Sequence, residues 1–183
     1  FNAPSGLTQT TAYRRITRSS DSVNSECLST PTSPVTVTVQ PVISPGTISG
    51  DQSICSGTNP TNLSGNAVAP TGGATIAYLW EQSSNNIAFT AISGAVSASF
   101  DPTTNLTQNT FYHRITESTL NGVTCPSVPT ASVEVTVRAL PTPGSISGSQ
   151  TICFQGDPLP FTSSSAGASS DGGTISYRWE VNT

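Results

Sequence analysis

The side chains with the strongest chemistry in this sequence are four cysteines. Cys27, Cys55, Cys125 and Cys153 occur in a chain with a single His, and none of them belongs to a CxxC pair. A zinc site needs thiolates and imidazoles at closer spacing than this. The pattern instead favours disulfides formed in an oxidising compartment, and therefore an exported protein.

The remaining titratable residues do not converge on a reaction. His113 is the single imidazole, and the earlier copy of its segment, described below, carries Arg14 in its place. No nucleophile elbow, HExxH motif or phosphate loop accompanies it. The ten acids are scattered without an Asp-x-Asp cluster, so the sequence predicts no calcium clamp. We expect no enzyme activity, no metal site and no cofactor.

Composition narrows the range of partners. Charged residues make up 9% of the chain, lysine is absent and the net charge is −4. No basic stripe is present to neutralise nucleic-acid phosphates or to bind anionic lipid headgroups. No apolar run approaches the roughly 18 residues that would span a bilayer. We therefore expect neither nucleic-acid binding nor direct membrane insertion.

The sequence repeats itself with a period of 98 or 99 residues. Residues 1–17 align with residues 100–116 at an offset of 99, and SIC at 53–55 aligns with TIC at 151–153 at an offset of 98. Self-similarity at a fixed period indicates tandem modules. The division that follows is the C-terminal part of one module (1–39), a complete module (45–138) and the N-terminal part of a further module (143–183).

The complete module has the pattern of an all-β sandwich. Turn signals such as Pro-Gly, Asn-Asn and Asn-Gly recur about every eight to twelve residues, and no segment shows a helical period. Short β-branched or alternating runs lie between them. They predict strands near 47–49, 53–55, 61–64, 75–82, 87–92, 97–100, 109–117 and 132–138.

Alternation along the two longest runs identifies candidate core residues. Ile76, Tyr78 and Trp80 share one face of their strand, and we expect that face to be buried. In the later run Tyr112 and Arg114 share one face and His113 lies on the other, and alternation leaves open which face is buried. We favour burial of Tyr112, because the earlier copy retains a Tyr at the same place.

A charged pair is expected across these two strands. Glu81 follows the Trp, and Arg114 lies two residues after the late Tyr. The other copies carry Glu180 and Arg15 at the matching places. We expect a cross-strand ion pair between Glu81 and Arg114 that fixes register and discourages edge pairing.

The order of these motifs resembles a known repeat type. ISG-x-x-x-IC is followed by Y-x-WE, then by L-T-x-x-T-x-Y-x-R-I-T, then by a Cys and by V-x-V-T-V. This order is similar to that of the tandem immunoglobulin-like repeats in very long Bacteroidetes surface proteins, including gliding-motility adhesins such as SprB and other cargo of the type 9 secretion system. The resemblance implies export, attachment at the cell surface and a role in adhesion or gliding.

Two cysteine pairings are open in such a sandwich. Cys55 joins Cys125 within the complete module, or each late cysteine joins the next early one, as Cys27 with Cys55 and Cys125 with Cys153. We expect the first, because the direction of the last strand would carry the chain away from Cys27 for most of a module length. Cys27 and Cys153 would then pair with cysteines in parts of their own repeats that lie outside this sequence.

One modification site follows from the resemblance. Asp21-Ser22-Val23 fits the short O-glycosylation pattern associated with Bacteroidetes exports, which makes Ser22 a candidate acceptor.

The leading functional hypothesis is a stalk or filament segment of a cell-surface adhesin. Proline-containing linkers at 40–45 and 139–143 would stiffen the junctions between neighbouring modules. One alternative is that the modules themselves bind surface glycans or a partner protein through end loops, with Phe89 and Phe154 as the first residues to test. Another is that they are accessory modules of a secreted hydrolase.

Overall fold

The computed structural model describes residues 1–21 and 26–182, and all regular elements in this part of the chain are β-strands. The prediction of an all-β fold is confirmed. The strands are β1 (Thr11–Tyr13), β2 (Arg18–Ser20), β3 (Glu26–Leu28), β4 (Val35–Val37), β5 (Ile48–Ser49), β6 (Gln52–Cys55), β7 (Ser64–Gly65), β8 (Thr75–Ser83), β9 (Thr90–Ala91), β10 (Thr110–Leu120), β11 (Val123–Pro126), β12 (Val133–Arg138), β13 (Ser145–Ser147) and β14 (Thr162–Ser165).

The middle of the chain is organised around one six-stranded sheet. Its strands follow the order β6-β12-β10-β8-β9, and β11 forms a hairpin with β10. All pairs are antiparallel except β6 and β12, which run parallel. β10 is the longest strand, and its long pairing with β8 fixes which side chains of the two strands share a face.

The core lies between this sheet and a smaller layer. That layer includes the β5–β7 pair and an isolated bridge between Leu63 and Phe100. Trp80 and Leu63 are fully buried where the two layers meet. The other buried members of this cluster are Ala95, Tyr112, Val133 and Val135. The burial follows from alternation, since residues directly opposite in β8 and β10 point to the same face.

The flanking segments repeat the strand registers of the middle segment. Thr11 pairs with Val37 as Thr110 pairs with Val135. In the same way the β2–β3 pair has the register of β10–β11, and the β13–β14 pair contains the register of β5–β7. The sequence repeat is therefore also a repeat of backbone pairing, and the same local residues form the same local pairs.

Strand positions agree with the sequence prediction only in part. The run near 97–100 forms one bridge at Phe100 instead of a strand, and the run near 87–92 shortens to β9. β11 was not predicted. It forms because Asn121 and Gly122 both adopt positive φ, 51° and 79°, which matches the two-residue turn that joins tightly twisted antiparallel strands.

Candidate functional site

Arg114 is a fully buried cation on the core face of β10. It lies directly opposite Trp80 in the register with β8. Its Nη1 donates to the carbonyl oxygen of Ala98 at 2.6 Å and its Nη2 to that of Pro45 at 2.9 Å. The guanidinium also covers the ring of Tyr78, 4.5 Å from its centroid. Burial lowers the pKa of Arg114, while the Coulomb interaction with Tyr78 opposes this.

Two glycines make room for this side chain. A Cβ atom at Gly46 would lie 2.6 Å from Nη2 of Arg114, and one at Gly65 would lie 2.4 Å from Nη1. Gly46 also has φ of +71°, which disfavours other residues. The guanidinium therefore occupies a space closed by backbone, and it binds carbonyl groups there in place of a carboxylate.

The same carbonyl of Pro45 anchors the incoming chain. Thr116 Oγ1 donates to it at 3.0 Å, so it accepts from two side chains of β10. Two residues before Pro45, Ile43 is buried, whereas Val42 is fully exposed. The linker at 40–45 is thus held against the longest strand and does not form a free loop.

We call the end of the middle module where the chain comes in the N-terminal pole. Gln40 lies there, with its Nε2 donating to the carbonyl oxygen of Val123 at 2.8 Å. Its Oε1 accepts from Ser118 Oγ at 3.2 Å. A cavity of about 270 Å³ separates residues 38–40 from the β10–β11 hairpin, and Cys125 is among its lining residues. Residues of the preceding segment therefore contact this pole directly.

The opposite end, where the chain leaves, is the C-terminal pole. Cys55 is the register partner of Arg138 there. Arg138 Nε lies 2.8 Å from Asp171 Oδ2 in the following segment. Thr142 and Ala168 form a bridge next to this contact. Hydrogen bonding from Arg138, then from Ser169, holds the pKa of Asp171 well below its usual range.

The expected Cys55–Cys125 disulfide is not formed, and the topology explains why. All four cysteines have free thiols. The Thr110–Val135 pair of β10 and β12 serves as the reference point. Cys55 lies beside Arg138, three positions from this pair along β12 toward the C-terminal pole. Cys125 lies opposite Ser118, eight positions from the same pair along β10 toward the N-terminal pole. Eleven positions at 3.3 Å place them about 36 Å apart, and a disulfide needs Cα atoms within about 7 Å. The error lay in the assumption that both cysteines share one end of the module.

The expected Glu81–Arg114 ion pair is also not formed. Glu81 is the register partner of His113, not of Arg114, so the two charges lie on opposite faces of the sheet. Glu81 Oε2 instead contacts His113 Nε2 at 2.6 Å. The ring of His113 stacks on Phe89 with centroids 3.8 Å apart. Glu81, His113 and Phe89 therefore pack together beside β9, and one of the two aromatics proposed for ligand binding takes part in this contact.

The predicted core residues divide into two pairs. Trp80 and Tyr112 are buried in the core cluster. Ile76 and Tyr78 are half-buried and lie outside it, nearer the N-terminal pole. Tyr78 contacts Arg114 and accepts a hydrogen bond from the backbone of Val68 at 2.8 Å.

Sequence reasoning missed the pole contacts of Gln40 and Asp171 and the central position of Leu63. The candidate acceptor Ser22 lies outside the described residues. Within 1–21 and 26–182, no group of three His, Cys, Asp or Glu side chains is placed to hold a metal ion. The same part of the chain contains no apolar helix long enough to cross a bilayer.

Comparison with known proteins identifies one family. A model described as a domain of unknown function (DUF8696) matches residues 44–139, a range that includes the predicted module at 45–138. No curated protein and no solved structure matches the chain. Because this match covers more than half of its 183 residues, the chain belongs to the DUF8696 family.

Proposed function

We propose that this chain is a load-bearing segment of a stalk, built from tandem immunoglobulin-like modules of an exported cell-surface adhesin. The sheet order supports the module type: two long central antiparallel strands carry the buried Trp80 and Tyr112, and a last strand pairs with an early one. The adhesive setting rests on the motif resemblance described above.

The observation that carries the proposal is that the chain enters and leaves the middle module at opposite poles. The chain comes in at one pole beside Ser118 and leaves at the other at Arg138, about 36 Å away along the sheet. Modules joined in this way form an extended string. Contacts at both poles, of Gln40 with Val123 and of Arg138 with Asp171, restrict bending at the junctions.

Strand direction gives such a string resistance to tension. β6 and β12 are parallel and paired over four residues, from Gln52 with Val135 to Cys55 with Arg138. Tension on the two chain ends pulls β6 toward the N-terminal pole and β12 toward the C-terminal pole. The hydrogen bonds between them are then sheared together and do not open one after another. This arrangement favours a mechanical role over a catalytic one.

Single-molecule pulling tests the proposal. With force applied to the two ends of the chain, we expect one prominent unfolding event that releases residues 52–138, a gain of about 300 Å of extended chain. The matched control uses the same strands with one handle on the exposed thiol of Cys55 and the other at the C-terminus, in a variant whose other cysteines are Ser. Both attachment points then lie at or beyond the C-terminal pole, so β6 and β12 peel apart at a lower force.

Equal unfolding forces in the two geometries would contradict the load-bearing role. Specific binding on a glycan array, lost in Phe89→Ala or Phe154→Ala, would favour the alternative that the modules bind ligands themselves. Phe154 is the more accessible ring, with 93% of its surface exposed.

A further inference from the structure

The two cysteines of the middle module each lie beside a segment that belongs to a neighbouring copy. Cys55 is the register partner of Arg138, which contacts Asp171 of the following segment. Cys125 is the register partner of Ser118, which contacts Gln40 of the preceding segment. One thiol is therefore located at each junction.

The repeat identifies the thiol that faces Cys125. Gln40 aligns with Arg138 at an offset of 98. The early cysteine of a preceding copy, equivalent to Cys55, is therefore expected beside Gln40, one strand spacing or about 4.8 Å away. Gln40 itself reaches Val123 at 2.8 Å, two residues before Cys125. The early thiol of one copy and the late thiol of the next thus border the same junction.

The cavity at the N-terminal pole provides space for a bond between them. Its lining residues come from both sides of the junction, namely Thr38, Val39 and Gln40 on one side and Leu120, Asn121, Val123 and Cys125 on the other. Cys125 is half-buried and Cys55 is exposed, and both thiols are free. Neither thiol requires the module to unfold before it can react.

We propose that the early cysteine of each copy forms a disulfide with the late cysteine of the following copy. This inference rests on the tandem array proposed above. It differs from both pairings considered from the sequence, because it joins Cys55 to the equivalent of Cys125 one repeat later. Cys27 and Cys153 pair in the same way, Cys27 with the early cysteine of a preceding copy and Cys153 with the late cysteine of a following copy.

The bond forms by exchange with the disulfide of an oxidised thiol carrier. The thiolate of one cysteine attacks a carrier disulfide and releases one carrier thiolate. The second cysteine then attacks the mixed disulfide and releases the other. Two protein thiols lose two protons and two electrons, and the carrier disulfide is reduced to two thiols. In the test, oxidised glutathione is this carrier.

The consequence is a covalent staple across each junction. It connects the end of β6 to the β10–β11 hairpin of the next copy, parallel to the linker. Tension that would otherwise lengthen the linker and break the contacts of Gln40 is then carried partly by the staple.

A chain with two complete copies tests the bond. Residues 1–137 are followed directly by residues 40–138, which keeps Gln40 at the new junction because Val137 aligns with Val39. After equilibration with oxidised and reduced glutathione, peptide mapping without reduction is expected to find one disulfide, from Cys55 of the first copy to Cys125 of the second. The chain that contains this disulfide should migrate differently in denaturing electrophoresis without reducing agent. Reduction with dithiothreitol should abolish the difference.

Four Ser substitutions serve as matched variants. Cys55→Ser in the first copy or Cys125→Ser in the second should abolish the bond. Cys55→Ser in the second copy or Cys125→Ser in the first should leave it intact. A folded chain, shown by cooperative unfolding followed by Trp fluorescence, that keeps all its thiols free would overturn the proposal.

Two further measurements do not depend on that design. If the duplicated chain does not fold, the complete 183-residue chain followed by residues 85–138 completes the third copy, since Thr183 aligns with Ser84. In this extended chain the expected bond joins Cys55 to the appended Cys125, and its absence again overturns the proposal. A disulfide between Cys55 and Cys125 of the unmodified 183-residue chain would also overturn the proposal. Loss of the staple leaves the shear resistance of β6 and β12 unchanged, so the two proposals fail independently.

Discussion

At the scale of single residues, the middle module is held together by a cation that has carbonyl groups as its partners. Among the described residues Arg114 forms no ion pair, and its Nε is buried without a hydrogen-bond partner. Its two Nη atoms bind carbonyl groups from separate segments, Ala98 and Pro45. A planar guanidinium suits this role, because its donors diverge in a fixed geometry while its face stacks on Tyr78. Arg114 therefore joins the linker, the core strand and the opposing layer.

Replacing Arg114 should cost stability because it leaves buried carbonyls without donors. We expect Arg114→Met to lower the free energy of unfolding by about 3 kcal/mol, measured by urea denaturation with Trp fluorescence. The matched control is Arg15→Met, the same repeat position with an exposed side chain, which should change stability by less than about 0.5 kcal/mol. Equal effects of the two substitutions would contradict the role given to Arg114.

At the scale of elements, β10 organises the module, and its hairpin with β11 extends it to the N-terminal pole. β10 pairs with β8, β11 and β12, and its core face presents Tyr112, Arg114 and Thr116, all of them buried. The hairpin places Val123 and Cys125 next to Gln40. Correct formation of the turn therefore decides whether the junction contacts exist.

The turn at Gly122 gives a prediction for this element. Gly122 has φ of +79° and open space around the Cβ position, so a methyl group there meets no atoms but forces a disfavoured backbone conformation. We expect Gly122→Ala to destabilise the module by about 1 kcal/mol, measured by thermal or urea unfolding. Asn121→Gly, which relieves φ of 51° at the neighbouring position, should not destabilise it. A neutral Gly122→Ala would show that the turn adopts another conformation.

At the scale of the whole chain, an ion pair between Arg138 and Asp171 connects the middle module to the segment that follows it. The Arg138 side chain is 51% exposed and that of Asp171 is 25% exposed, and their contact joins the end of β12 to the following segment. The hydrogen bonds to Asp171 lower its folded-state pKa below the unfolded value near 3.9. Their contribution is therefore fully present above about pH 4 and is lost as the pH falls through the folded pKa.

We therefore expect the mobility of the segment after the middle module to depend on pH and on salt concentration. Asp171→Asn should increase the internal mobility of residues 139–175 at neutral pH, measured by amide relaxation in solution. The parent chain should show the same change only in strong acid, and salt should weaken the contact because surface charges are screened. Asp157→Asn, the same change of charge in the same segment, is the control. No difference between the two variants would contradict this role of Asp171.

Some features could be predicted because they depend on neighbours along the chain. Alternation located β8 and β10 and placed Trp80 in the core, and the Tyr retained in the earlier copy indicated that Tyr112 is buried as well. The same alternation, applied consistently, excluded the Glu81–Arg114 pair, because a strand that buries Trp80 turns Glu81 outward while Tyr112 and Arg114 share the inner face. That the inner face accepts a cation was not predictable, because the carbonyl groups of Ala98 and Pro45 come from distant segments.

The sequence by itself determined the all-β class, the repeat of 98 or 99 residues and the inner face of β8, since these follow from local spacing and backbone alternation, and comparison of the repeated copies selected the inner face of β10. Only the tertiary structure decided which ends of the strands meet. Cys55 and Cys125 occupy opposite poles because β6 runs parallel to β12 and β11 folds back on the far end of β10. Strand order and direction arise from packing between segments tens of residues apart, and this packing placed Cys125 near the preceding segment and Cys55 near the following one.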